Sequence, residues 1–180
     1  MKISRDNPFY FITFVTNDRL NVFQKRELKN LISMSFDEAR KSADFSIFAY
    51  VIMPDHVHLI TSSEYKSSVV LRYLKGISAR RIIDFLKKKN FQTSLDKLGH
   101  KTLKGNWNYS LWQHRSNVLS LISENILMEK VNYIHQNPVK ENLVKTAGDY
   151  RWSSARFWNG NPADDEPLEV DAQKIHRRKA

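Results

Sequence analysis

From Phe9 to Thr16 the chain reads Phe-Tyr-Phe-Ile-Thr-Phe-Val-Thr, an aromatic and β-branched run opened by Pro8 and closed by Asn17-Asp18. Such a run between turn formers predicts a strand. From Lys25 to Ser42 apolar residues fall at Leu28, Leu31, Ile32, Met34, Phe36 and Ala39, close to a helical repeat. Phe45 to Met53 is apolar nearly throughout and predicts a strand buried on both faces. Pro54-Asp55 marks a tight turn, from which His56 to Thr61 returns as a third strand. Ser67-Ser68 caps a helix to about Lys89, with Val70, Leu74, Ile77, Ile82, Phe85 and Leu86 as its core stripe. Asn90 to Asn108 is polar, carries Gly99 and Gly105, and reads as a mobile loop, with Tyr109 to Gln113 as a fourth strand. Glu124 to Asn137 reads as a helix stopped by Pro138. Asp149 to Ser154 reads as a docking segment, and the residues after Gly160 as a tail ending in Arg177-Arg178-Lys179.

The order β-α-β-β-α-β-α predicts an α+β fold of the ferredoxin-like, split βαβ kind. Its central antiparallel sheet would have four or five strands with helices packed on one face. One domain over residues 1–160 and a C-terminal tail over 161–180 are expected, since 180 residues suffice for one core. A hydrophobic content of 41% excludes disorder across the chain. With no cysteine there is neither a disulfide nor a thiolate metal site, and a cytosolic location is permitted. The polar opening Met1 to Asp6 argues against a signal peptide, and the longest apolar run, Ile47 to Met53, is far too short to span a bilayer. A soluble protein with no membrane partner is expected.

Charge narrows the partner. Lys and Arg total 29 against 19 Asp and Glu, giving +10 and a pI near 9.8, which points to a polyanion and most commonly nucleic acid. The excess gathers between Lys75 and Lys104, where Lys75, Arg80, Arg81, Lys87, Lys88, Lys89, Lys97, Lys101 and Lys104 face only Asp84 and Asp96. A charge run alone is more often a solvated helix face; so local a surplus favours phosphate contact. Trp107, between Asn106 and Asn108 in the basic loop, is the candidate for stacking on an unpaired base, whereas Trp112 and Trp152 read as core.

The candidate chemistry begins with His56 and His58. In a strand, two imidazoles one residue apart share a face while Val57 takes the other. Imidazole serves several divalent metals, so the pair selects none and needs a further ligand. On the last helix Asn137 follows Tyr133 by four residues, about 40° around the axis, so amide and phenol share a face one turn apart. Leu127, Val131 and Ile134 form the neighbouring docking stripe. His135 lies about 200° from Tyr133 and reads as structural. Spacing does not decide whether Gln113 or His114 approaches the site.

Several blocks carry a resemblance. Ala49 to Ile60 contains Met-Pro-Asp-His-Val-His; Leu74-Lys75-Gly76, Leu111-Trp112-Gln113, Tyr133 to Val139 (Tyr-Ile-His-Gln-Asn-Pro-Val) and Tyr150 to Ala155 follow in order. In these blocks, spread over residues 8–158, the chain resembles the single-tyrosine HUH transposases of the IS200-like kind, most closely the REP-associated tyrosine transposases found beside bacterial repetitive palindromes. The resemblance implies His56, His58 and Asn137 as ligands of Mg²⁺ or Mn²⁺, where imidazole chemistry alone suggests zinc. It implies Tyr133 as the nucleophile on single-stranded or hairpin DNA, leaving a 5′-phosphotyrosine link and a free 3′-hydroxyl. Arg72, Lys75, Arg80, Arg81, Lys87, Lys104, Trp107 and Arg115 are the expected DNA contacts. His114 to Ser120 is poorer in aromatic and acidic residues than the family pattern, which leaves target contacts there open. A monomer or a homodimer exchanging the tyrosine helix, in the bacterial cytoplasm with the nucleoid, is implied. The rival functions are a non-catalytic hairpin-binding protein on the same fold and an unrelated metal hydrolase in which Tyr133 is structural.

Overall fold

The computed structural model describes residues 3, 9–62 and 64–175. Most of the polar opening, Pro8 and the basic Arg177-Arg178-Lys179 lie outside the described residues. β1 (Phe9–Val15), α1 (Arg26–Ser42), β2 (Ser46–Ile52), β3 (His56–Ser62) and α2 (Ser67–Lys88) come first. α3 (Gln92–Leu98), β4 (Gly99–Lys101), β5 (Trp107–Tyr109), β6 (Asn117–Leu121) and α4 (Glu124–Lys140) follow. Four strands form one antiparallel sheet in the order β2-β3-β1-β6. That is the ferredoxin-like arrangement, with the first and third strands central.

Helices cover both faces of this sheet, not one. α1 and α2 pack over Ile12, Phe14, Tyr50, Ile52, Val57 and Leu59, whereas α4 packs over Phe9, Phe11, Phe48, Val51 and Ile60. The cause is visible in β1, whose alternate positions are apolar on both sides, so neither face can be left to water.

Three further expectations are corrected. The fourth strand of the sheet is β6, paired with β1 from Phe9↔Leu121 to Thr13↔Asn117. As an edge strand with mostly exposed side chains it carries little apolar signal. Leu111 and Trp112 instead run into the core beside Thr16, where the Trp112 indole N–H donates to Ser78 Oγ at 3.0 Å. Asn90 to Asn108 is not a bare loop: Leu95 and Leu98 bury α3, and β4 and β5 pair as a small hairpin. Pro138 does not stop α4, which runs to Lys140. In the last turn a proline forfeits only its own N–H bond, and Glu141 N donates to Asn137 O (3.1 Å) and Leu143 N to Pro138 O (2.9 Å) to close the end.

The open edge of β2 is covered by two later segments. Ile52 N donates to Trp152 O (2.9 Å), Ser154 N to Tyr50 O (3.0 Å) and the Tyr150 hydroxyl to Ile52 O (2.8 Å). Beyond Gly160 the chain lies against the same edge: Leu168, Val170 and Asp171 are buried, and Asp171 N donates to Ile47 O at 2.7 Å. The Asp171 carboxylate accepts from Ile47 N (3.1 Å) and pairs with Arg40 (3.1 Å) and Lys174 (2.8 Å). Without this carboxylate the buried Ile47 N–H loses its side-chain acceptor, while Arg40 keeps Asp37 and Glu169; an unsatisfied buried donor costs about 1–3 kcal/mol. Asp171→Ala should therefore lower unfolding free energy by about 2 kcal/mol in denaturant titration. A loss below about 1 kcal/mol would mean that this segment does not hold the edge.

Candidate active site

β3 sets the positions of both histidines. His58 pairs with Thr13 on β1 and Val51 on β2, which puts it in mid-sheet, while His56 at the strand's start pairs with Val15. Their rings lie 4.9 Å apart edge to face, on the side covered by α4. His58 is buried and stacks on Phe11 with centroids 5.5 Å apart. Burial, with His56 as the next cause, holds its pKa far below the ordinary histidine value, at about 3. The ring is therefore neutral near pH 7.

Each imidazole is oriented through Nδ1. Thr13 Oγ1 lies 2.7 Å from His58 Nδ1, and Asp55 Oδ1 lies 2.5 Å from His56 Nδ1. Asp55 is in turn held by Arg19 Nη1 at 2.9 Å. With the proton on Nδ1, each ring keeps a lone pair on Nε2. That is the arrangement in which outer oxygen partners fix the tautomer of a metal-binding histidine. Thr13 and Asp55 were not singled out from the sequence; Asp55 adjoins the motif, and only strand register reveals Thr13.

α4 docks through Leu127, Val131 and Ile134, all buried as its periodicity implied. Ser123 caps it, its hydroxyl accepting from Ile126 N. Tyr133 emerges at 39% exposure, with its ring edge-on to His58 at 5.4 Å and to Phe11 at 5.9 Å. The phenol of one chain thus lies beside the histidines of the same chain. Lys140 and Lys130 stand 5.2 and 5.8 Å from the ring centroid, giving it a cationic surround. Asn137 is buried one turn on, and its Nδ2 donates to Tyr133 O at 3.4 Å, leaving Oδ1 as a free acceptor. His135 points elsewhere: its Nε2 lies 2.8 Å from Ser154 Oγ, tying α4 to the segment on the β2 edge.

His56 and His58 offer imidazole nitrogens and Asn137 an amide oxygen, donor types that serve divalent cations. Among the described residues no three His, Cys, Asp or Glu side chains converge. Glu141, one turn beyond Asn137, shares with His56, Asp55, Arg19 and Asn21 a cleft of about 200 Å³. It too was missed from the sequence.

The expected DNA contacts fall into two groups. Arg72, Arg80, Lys104 and Arg115 are exposed. Trp107, 54% exposed, lies against Gly99, where a side chain would come within 2.5 Å of the indole. Lys75, by contrast, donates to Gln113 O (2.7 Å), His114 O (3.2 Å) and Ser116 Oγ (3.2 Å), and partial burial lowers its pKa. It ties down the loop before β6, a role that uses the backbone of Gln113 and His114. Arg81 forms a two-pronged pair with Glu38, and Lys87 lies 4.7 Å over the Tyr109 ring.

The chain is similar to known proteins in both sequence and fold. Residues 5–137 match the family described as transposase IS200 like. A Haemophilus influenzae protein assigned as a REP-associated tyrosine transposase is 25% identical over 166 residues, covering 85% of this chain and 88% of that one. The solved structure of a REP-associated tyrosine transposase bound to a REP hairpin aligns over 99% of this chain and 96% of its own, with TM-score 0.55 and 21% identity. A transposase structure from Deinococcus radiodurans aligns over 72% of this chain and 90% of its own, with 23% identity and TM-score 0.48. No helix among the described residues is long and apolar enough to cross a membrane.

The buried histidines give the metal-free protein a defined acid sensitivity. Burial lowers His135 to about 4 and His58 to about 3, whereas unfolded histidine titrates at about 6.5. Between these values the unfolded state binds more protons, so stability falls as pH drops, each group contributing up to about 1.4 kcal/mol per pH unit. His135→Gln should remove about half of that slope between pH 6 and 4 in denaturant titrations. An unchanged slope would assign it to other groups.

Proposed function

The chain belongs to the IS200-like transposase family, and from that premise we propose that it is a metal-dependent single-stranded DNA endonuclease and strand transferase acting at hairpin-forming repeats. The observation that carries the reading is Tyr133, exposed on α4 with its ring against His58 of the same chain. The relative solved with a REP hairpin supports hairpin DNA as the substrate class. The positive balance of the chain supports a polyanion in general.

In this mechanism Tyr133 Oη attacks the scissile phosphorus, the bond to the 3′ oxygen breaks, and a 5′-phosphotyrosine forms. The phenol proton leaves to water, and the departing 3′ oxygen gains one to become a hydroxyl. The ester keeps the strand activated, so a second 3′-hydroxyl can displace the tyrosine and rejoin the DNA. Mg²⁺ or Mn²⁺, held by His56, His58 and Asn137, would supply Lewis-acid polarisation of the phosphate. Thr13 and Asp55 keep the histidine lone pairs aimed at the site. Lys130 and Lys140, beside the Tyr133 ring, favour approach of the phosphate. Arg72, Arg80, Lys104 and Arg115 suit backbone phosphates, which position the duplex without reading it, and Trp107 offers a stacking surface.

A hairpin oligonucleotide incubated with Mn²⁺ should yield a denaturation-resistant protein adduct carrying a 3′ label, while a 5′ label appears on a shorter free strand. Tyr133→Phe should give neither product. His56→Ala and Asn137→Ala should slow both by roughly a hundredfold or more. Cleavage without an adduct would indicate water as nucleophile, and binding without cleavage a hairpin-binding protein. Because phenol and histidines meet within one chain, mixing Tyr133→Phe with His56→Ala protein should restore nothing; rescue would show helix exchange between chains.

A further inference from the structure

The cleft beside His56 does not end there. Its wall residues Arg19 and Asn21 also line a second cleft of about 350 Å³, bounded on the far side by Ser94 and Lys97 of α3. The two clefts share Arg19 and Asn21 as a wall, one opening at His56 and the other reaching Lys97. The loop forming this wall is held in an unfavourable conformation. Asp18 and Arg19 both have left-handed backbones, with φ of 50° and 52°, a conformation that L residues seldom adopt. The surroundings enforce it: Asn17 N donates to Leu111 O (2.8 Å), Thr16 N to Asp55 O (2.8 Å) and Phe23 N to Pro54 O (2.8 Å). Strained backbone held this firmly is more common at sites of function than elsewhere. Here it presents Arg19, whose side chain is 67% exposed, on the shared wall while one guanidinium nitrogen holds Asp55.

We propose that these two adjoining clefts act as one groove for the single-stranded DNA flank next to the scissile phosphate, with Arg19 and Lys97 taking backbone phosphates and Asn21 facing the nucleotide between them. This rests on the proposed function, since it takes His56 as the centre of the reaction. Tyr133 lies against His58 and the groove opens at His56, so a strand lying in it leaves the site on the side away from the phenol. Lys97 is exposed on the second cleft and Arg19 lines both. Glu141 is the acidic group at the histidine end that Arg19 does not already engage, which puts the phosphates on the Arg19 and Lys97 wall. A duplex is about 20 Å wide and does not enter clefts of this size, whereas an unpaired strand does.

The test uses Tyr133→Phe protein in EDTA, so that neither cleavage nor metal enters, and fluorescent dT20 as the probe. Each lost phosphate contact on single-stranded DNA reduces the slope of log K against log salt by about 0.7, or about fivefold in affinity at 0.1 M salt. Lys97→Ala should show both changes, and Lys41→Ala, beside Asp37 on the other side of α1, should show neither. Arg19→Ala should act likewise but also strips Asp55 of its partner, so Lys97→Ala decides. The chain has no cysteine, so benzophenone placed on Asn21→Cys reports this groove alone and should crosslink dT20 well above the same label on Lys41→Cys. An unchanged slope for Lys97→Ala together with crosslinking no greater than at Lys41→Cys overturns the groove. Failure of the Tyr133 adduct with intact slope changes would overturn the chemistry and leave the groove standing; the reverse pattern removes only the groove.

Discussion

Pairing of β3 between β1 and β2 is the constraint on which the site depends. Side chains alternate along a strand, so a register slip of one residue would turn His56 and His58 into the α1/α2 core and Val57 and Leu59 toward α4. Val57 and Leu59 are fully buried, and each such side chain is worth about 1.5–3 kcal/mol against exposure. Burial of the two apolar residues on one face thus fixes where the two histidines on the other face point. The same register brings Thr13 opposite His58 and gives the imidazole its oxygen partner. Placement and orientation of the histidines are consequences of sheet packing rather than separate features.

α4 completes the site under a second, independent constraint. Its apolar stripe lies on the sheet face that carries the histidines, and Ser154 anchors it through His135. Ser154 also bonds to the backbone of Tyr50 on β2. The helix bearing Tyr133 and Asn137 is therefore referenced to the same sheet as the histidines, through its apolar stripe and through His135. A phenol on a flexible loop would lose orientation that such anchoring retains.

Local pattern made much of this legible and long-range contact supplied the rest. The histidine pair, the Tyr133 and Asn137 spacing, the docking stripe of α4 and the first three strands all follow from periods of two and 3.6 within single elements. Thr13 is silent in sequence because its role arises only when β1 meets β3. Glu141 and Arg19 are silent because a turn and a helix end, far apart in the chain, converge on one cleft. β6 escaped notice because an exposed edge strand has no apolar repeat to display, and α3 because two leucines in seven residues are a weak period. Covering both sheet faces was readable in the aromatics of β1, had both faces of that strand been weighed.

The basic balance is also distributed by the fold. Arg40, Arg151 and Arg156 are matched by Asp37, Glu169, Asp171, Asp165 and Glu166, which draws much of the acid toward α1 and the segment after Gly160. Asp37, Glu38, Glu166 and Glu169 line an acidic cleft there of about 660 Å³. The cations of the α2 end, α3 and the β4–β5 hairpin lack such a supply of carboxylates. At physiological salt, fields reach about 8 Å, so the acidic side does not cancel the basic one across the domain. A polyanion is steered to the basic side, while the segment after Gly160, lying among carboxylates, closes the β2 edge without competing for it.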